Sequence, residues 1–329
     1  MILQLSCQFL PEFWRRLAHA YRAKIPIFNE ARGLLVRASE KVRDNLKAMK
    51  LYQKILSAIF ASTLFSCSTV TVTRMNGYRM QKDVSYKKGV GTKKDEEYNL
   101  TGDLYTPNVP GPKAAVIVVH GGGWDSDSGS MYEISTDLAG SGFVVFNIRY
   151  RLAPEFLYPN SVEDVRDAIK FVRDHAKEFE VDPNQISLWG YSAGAHLVLM
   201  AGLDPAMHVQ AIVAGGTPAD FPFWPHSPII TKYIGKSYAD AKQTWEEASP
   251  INHVSENSPP VFLYHGHNDH LVEVEQMYKM RDALEHKNVE VKTYEVPVFG
   301  HIFTYLFSVA SIKKGIQFLE AHTRQSMPH

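Results

Sequence analysis

The chain has 329 residues, enough for one large core, and its 35 basic residues balance 35 acidic ones. Zero formal net charge, with no basic stripe interleaved with aromatics, points away from a nucleic-acid partner. Two cysteines, Cys7 and Cys67, exclude a disulfide-rich framework.

Residues 1–48 carry nine Lys or Arg against four acids. They read as an upstream extension of the reading frame, the alternative being an amphipathic surface helix with Phe9, Phe13, Trp14 and Leu17 on one side. Residues 49–67 read as an export segment. Met49 to Lys54 is a short basic start, and Ile55 to Phe65 is an apolar run too short to span a bilayer. Leu64-Phe65-Ser66-Cys67 is similar to a bacterial lipobox. The expectation is translation from Met49, cleavage before Cys67 and a lipid anchor on that cysteine. This address is the bacterial cell envelope, with the cytoplasm as the alternative. Residues 68–329 are expected to form one catalytic α/β domain.

Within it, strands and helices alternate, which predicts a mostly parallel central sheet with helices on both faces. Ala114 to Val119 is a short valine-rich run that reads as a buried strand, and it ends in His120-Gly121-Gly122-Gly123-Trp124. A helix near Met131 to Leu138 leads to a strand over Phe143 to Ile148. Helical spacing covers Val162 to Glu180, with Ser161 as its expected N-cap, and Pro183 marks the loop back to the next strand. That strand, Gln185 to Trp189, runs into Gly190-Tyr191-Ser192-Ala193-Gly194 and then a helix. After a strand ending near Ala214, residues 215–250 break the alternation and hold Phe221, Phe223, Trp224, Tyr233 and Trp245. Pro260 to Gly266 is a further strand, followed by Asp269, a helix from Glu273 to His286, a strand from Val289 to Val296, and His301.

Strand, G-x-S-x-G, helix is the setting in which a serine hydroxyl is lifted above a sheet edge as a nucleophile. Acyl transfer passes through an oxyanion that needs preorganised donors, and glycines let backbone N–H groups approach it. Those donors are expected from Gly122, Gly123 and Ala193. A phosphate-cradling reading of the glycine loop fails because no Lys-Ser or Lys-Thr opens a following helix. Asp269 and His301, each just past a strand end, complete a Ser192-His301-Asp269 triad. Glu273 falls inside a predicted helix, and His286 ends one beside Lys287 and Asn288. His196 reads as structural. His265, His267 and His270 read as local packing around Asp269 rather than as metal ligands, so no metal is expected. Substrate-binding candidates are Trp124 and Tyr191 beside the two motifs, with Phe221, Phe223 and Trp224 from the insertion. The aromatics of the 215–250 insertion fit a small satellite core equally well.

With these motifs in order, residues from Tyr98 to Ala321 resemble an α/β-hydrolase of the carboxylesterase group. The likeness is to the feruloyl-esterase-like (BD-FAE) and hormone-sensitive-lipase-like branches. It is carried by Gly102 to Pro107, His120 to Trp124, Arg149 to Glu155, Pro159 to Val165, Gly190 to Leu197 and His265 to Val272. The hormone-sensitive-lipase-like pattern has Asp before the nucleophile, where this chain has Tyr191. Ser192 to Leu197 with His120 to Trp124 is also similar to kynurenine formamidases. The resemblance implies a cofactor-free serine hydrolase acting on small-molecule esters, with aryl formamidase and a serine-peptidase-like hydrolase as alternatives. Too few residues precede the domain for the propeller of prolyl oligopeptidases, and a short stretch before the first core strand favours small soluble esters.

Overall fold

The computed structural model describes residues 77–323, apart from residues 90–91, 94–95, 98 and 128–130. The expected extension, export segment and Cys67 lie outside the described residues.

Eight strands build one sheet: β1 (Tyr78–Lys87), β2 (Leu100–Pro107), β3 (Lys113–Val119), β4 (Val144–Ile148), β5 (Val181–Tyr191), β6 (Ile212–Gly215), β7 (Val261–Gly266) and β8 (Val291–Val296). Their spatial order is β1-β2-β4-β3-β5-β6-β7-β8. β2 pairs antiparallel with both β1 and β4, and every pair from β4 to β8 is parallel.

The near-continuous apolar runs follow from coverage of both faces. Ala115, Ile117 and Val119 point into one core, and Val116 and Val118 into the other. The first core takes residues from α2 (Asn160–Asp174), α4 (Ala193–Gly202) and α7 (Glu275–His286). The second takes residues from α1 (Tyr132–Gly140) and α9 (Val309–Thr323). α4 is apolar on all sides and buried along its whole length, so it is the central helix of the first face.

Between β6 and β7 lie two short helices, α5 (Pro228–Ile234) and α6 (Lys242–Glu247). α5 is well specified locally: Ser227 caps it by accepting from the Ile230 N–H, Pro228 opens it, and Gly235 closes it at φ 84°. A two-turn helix, α8 (His301–Phe307), follows β8.

Local expectations are corrected in three places. Ser161 is not the cap of α2 but sits in its first turn, and its hydroxyl meets the Tyr233 hydroxyl at 3.0 Å. The helix expected to run to Glu180 breaks at His175 and resumes as α3 (Ala176–Phe179). Pro183 lies inside β5, where the pairing with β3 shifts register. β1, an edge strand for which the sequence predicted no element, has half of its residues exposed.

Arg151, in the loop after β4, is tied to α2 by Asp164, which has no exposed surface. The Arg151 Nε and Nη2 groups donate to both carboxylate oxygens at 2.7–3.0 Å, and Lys87 reaches the same carboxylate at 3.2 Å. A buried carboxylate that accepts this many charge-assisted bonds fixes the Arg149 to Glu155 loop under the glycine loop.

Among the described residues no helix is long and apolar enough to cross a membrane.

Candidate active site

The glycine loop, Ser192, Asp269 and His301 follow β3, β5, β7 and β8, at the carboxyl edge of the parallel strands. At the tip of β5, Ser192 takes φ 56° and ψ −121°, a backbone state costing about 1–3 kcal/mol for a non-glycine residue. Its neighbours hold it there. The Ser192 N–H donates to Gly215 O at 2.8 Å, and the His196 N–H donates to Ser192 O at 3.1 Å. The flanking glycines are steric requirements. A Cβ on Gly190 would stand 2.2 Å from Gly194 O, and one on Gly194 would stand 2.1 Å from Val119 O. The elbow closes only because both positions lack a side chain.

Asp269 is buried and its Oδ1 accepts from the Leu271 and Val272 N–H groups at 3.0 and 2.9 Å. Its Oδ2 lies 2.6 Å from His301 Nδ1 and 3.3 Å from His265 Nε2. Burial alone would push this carboxyl up, but the hydrogen bonds from His265 and His301 outweigh it and hold Asp269 well below the usual carboxylate range. Asp269 is therefore an acceptor only, and the shared proton sits on His301 Nδ1. That leaves His301 Nε2 as the acceptor 2.9 Å from the Ser192 hydroxyl. Geometry and charge together select the tautomer that can take a proton from serine.

The flanking histidines have other bonds. His265 Nε2–H donates to Val272 O at 2.8 Å, His267 pairs with Glu295, and His270 is exposed. His286, at the end of α7, is also exposed. Among the described residues no three His, Cys, Asp or Glu side chains are grouped to hold a metal ion.

The glycine loop lies directly against the elbow: a Cβ on Gly121 would be 3.0 Å from Tyr191 O and 3.2 Å from Ser192 Cβ. Gly122 and Gly123 take φ 116° and 59°, which favours glycine at both. His120 braces the loop from below. It stacks on Tyr150 at 4.3 Å and its Nδ1–H donates to Gly121 O, while burial pushes its pKa down and keeps the ring neutral. Ala193 opens α4, so its N–H is one of the helix's unpaired amides and faces the elbow's turn.

The five aromatics expected to meet substrate divide into two groups. Trp124, Tyr191 and Phe221 are buried and pack against neighbouring side chains. The Trp124 indole N–H donates to His196 Nδ1 at 3.1 Å, and the ring stacks on Tyr233 at 4.6 Å. Phe221 stacks on the His196 ring at 4.7 Å. Tyr191 OH donates to His301 O. Large rings inside a polar-tipped cluster satisfy their N–H and O–H groups in the core. His196 completes this cluster by donating from Nε2 to Ala248 O at 2.8 Å, and burial pushes its pKa down to about 3. Phe223 is 39% exposed and Trp224 is half-buried, with its indole N–H donating to Glu273 at 2.8 Å.

One contact had no sequence signal. Successive positions on one face of α5 grip the glycine loop. Ile229 Cγ2 lies 3.3 Å from where a Gly123 Cβ would be, Lys232 pairs with Asp125 at 2.6 Å, and Tyr233 stacks on Trp124. Ile229 remains 43% exposed beside the Gly123 backbone. Its helix start was readable from Ser227-Pro228, but not what the helix rests on.

The BD-FAE family model matches residues 102–284, which contain the glycine loop, the elbow and Asp269. The chain belongs to the BD-FAE family. Among curated proteins, the probable carboxylic ester hydrolase LipM of Mycobacterium tuberculosis is 30% identical over 231 residues, covering 64% of this chain and 54% of LipM. The isoprenylcysteine alpha-carbonyl methylesterase ICME of Arabidopsis thaliana is 28% identical over 241 residues, covering 65% of this chain and 56% of ICME. This BD-FAE chain spans about half the length of the curated relatives it matches. Among solved structures, a truncated carbohydrate esterase from gut microbiota aligns with a TM-score of 0.66 at 22% identity, over 78% of this chain and 99% of that one. Thermogutta terrifontis esterase 2, phosphorylated by paraoxon, aligns with a TM-score of 0.62 at 21% identity, over 75% of this chain and 95% of its own. These likenesses give the BD-FAE chain the α/β-hydrolase fold.

Proposed function

We propose that this BD-FAE chain is a serine carboxylesterase acting on small, short-chain carboxylic esters. The observation that carries the reading is the unbroken path from the Asp269 carboxylate through the His301 ring to the Ser192 hydroxyl, with steps of 2.6 and 2.9 Å. The names of LipM and ICME, both ester hydrolases, support the reaction class.

In this mechanism Ser192 Oγ attacks the ester carbonyl while His301 Nε2 takes the hydroxyl proton. The carbonyl oxygen becomes an oxyanion, received by the N–H groups of Gly122, Gly123 and Ala193. Asp269 stays ionised and stabilises the imidazolium. His301 then returns its proton to the alkoxide, the alcohol leaves, and Ser192 holds the acyl group. Water repeats the sequence with His301 as base, and the carboxylic acid departs. No metal or organic cofactor enters these steps. Ile229, Phe223 and Trp224 are proposed walls for the groups on either side of the ester.

A panel of acetyl, butyryl, octanoyl and feruloyl esters beside N-formylkynurenine tests the reading. The highest kcat/KM is expected for the acetyl and butyryl esters. A highest value for N-formylkynurenine would replace the esterase with an aryl formamidase using the same residues.

The lipid anchor on Cys67 and the envelope location belong to the same proposal and rest on the sequence alone. Mass spectrometry of the native protein is expected to find an N-terminus at a lipid-modified Cys67. Recovery of intact residues 1–48 would remove the anchor.

A further inference from the structure

Tyr191 stands immediately before Ser192 on β5, and its side chain is buried. Its hydroxyl donates a 2.6 Å hydrogen bond to the backbone carbonyl of His301, 110 residues away in sequence. The ring lies 5.2 Å from the His301 ring and 5.1 Å from Tyr305, one turn further along α8. Gly216, at φ 57°, leaves the room for this arrangement. A Cβ there would stand 3.0 Å from both the Tyr191 hydroxyl and His301 Cε1.

The outer face of α8 is in solvent: Ile302, Phe303, Leu306 and Phe307 are all exposed. Where its first residue sits is decided from the inner side, by Tyr191 and by the buried Thr304 packed near Gly266. Burial pushes the Tyr191 phenol well above its ordinary pKa, so it remains a donor wherever the enzyme is folded.

We propose that Tyr191 is a positioning residue whose bond to the His301 carbonyl sets the imidazole at reacting distance from Ser192. The proposal rests on the reading of His301 as general base and Ser192 as nucleophile. Because Tyr191 and Ser192 are consecutive, a displacement of the β5 tip moves the nucleophile and the tether of its base together. The Asp of the hormone-sensitive-lipase-like pattern cannot make this bond, since an ionised carboxylate has no proton to donate to a carbonyl. The tyrosine at this position therefore has a chemical consequence.

Tyr191→Phe keeps the ring and removes only the donor. Misplacement of a catalytic group on the ångström scale costs up to about 100-fold, so kcat is expected to fall about 10- to 100-fold. KM should stay within about twofold, as for an interaction that matters in the transition state rather than in substrate binding. The rate at which a fluorophosphonate labels Ser192 should fall by the same factor as kcat. Tyr264→Phe is the control, because it removes a buried hydroxyl from the same aromatic cluster whose hydrogen bond is to the Trp189 indole and not to the His301 carbonyl. It should match Tyr191→Phe in thermal melting and the wild type in kcat. An unchanged kcat in Tyr191→Phe overturns the proposal, as does a loss of kcat shared equally by Tyr264→Phe. If Tyr191→Phe does not fold, Gly216→Ala, which crowds the same bond, must show the kcat-selective loss or the proposal fails. A wild type inert toward every ester removes the esterase reading and this proposal with it. An active wild type with an indifferent Tyr191→Phe removes only this proposal.

Discussion

Ser192→Ala is expected to lower ester turnover by about 10⁴- to 10⁶-fold, the range lost when the nucleophile of a serine triad is deleted. The residual rate would come from the amides of the glycine loop and from substrate orientation, which the substitution leaves in place. Stability should hardly change, because Ser192 is half-buried and alanine meets the same backbone strain. Ser192→Gly sharpens the test. Glycine relieves the φ 56° strain, so the inactive variant should be more stable than the wild type by about 1–2 kcal/mol. Urea unfolding and initial rates on a nitrophenyl acetate give the two readings. Turnover by Ser192→Ala within tenfold of the wild type would refute the nucleophile assignment.

Asp269→Asn is the second large effect, about 10⁴-fold in kcat at neutral pH. The backbone N–H groups of Leu271 and Val272 continue to hold the amide oxygen, since they donate to Oδ1. The NH2 group then replaces Oδ2 and faces His301 Nδ1. Two donors cannot share that contact, so the ring is driven to carry its proton on Nε2. In that tautomer it has no lone pair for the serine hydroxyl. His265 Nε2–H also loses its charged neighbour 3.3 Å away.

The same carboxylate links folding to acidity. Asp269 is held below the usual range in the folded chain, so its stabilisation is complete above the unfolded carboxyl pKa of about 4. That contribution is lost as pH falls through the depressed folded value. Asparagine does not titrate, so the stability gap between wild type and Asp269→Asn should narrow from pH 7 toward pH 3. Urea midpoints across that range measure it. A gap that widens on acidification would contradict the assignment of Asp269 as a buried, paired carboxylate.

The parallel strands were readable because each is a short apolar run ending in a recognisable loop. The strand expected over Ala114 to Val119 forms as Lys113–Val119, and the elbow follows β5 directly. Ser192, Asp269 and His301 were each visible as a polar residue just beyond a strand end, which is why the sequence brought them to one edge of the sheet. β1 was not readable, since an exposed edge strand has no buried face to impose a period. The roles of the aromatics were not readable either. Trp124 and Phe221 in a core and Phe223 at the surface look alike in a linear pattern, because only the packing of His196 and Tyr233 between them decides which is enclosed. Tyr191 was noticeable as a departure from a family pattern, but its partner's carbonyl lies on a distant helix and carries no sequence mark.

The grip of α5 on the glycine loop has a consequence for protein engineering. Residues 229, 232 and 233 of the insertion are matched to residues 123–125 of the loop. A chimera that borrows the 215–250 region from a relative without the corresponding tripeptide is expected to detune the amides proposed to receive the ester oxygen. The two pieces are separated by about a hundred positions in the chain, yet they form one transplantable unit.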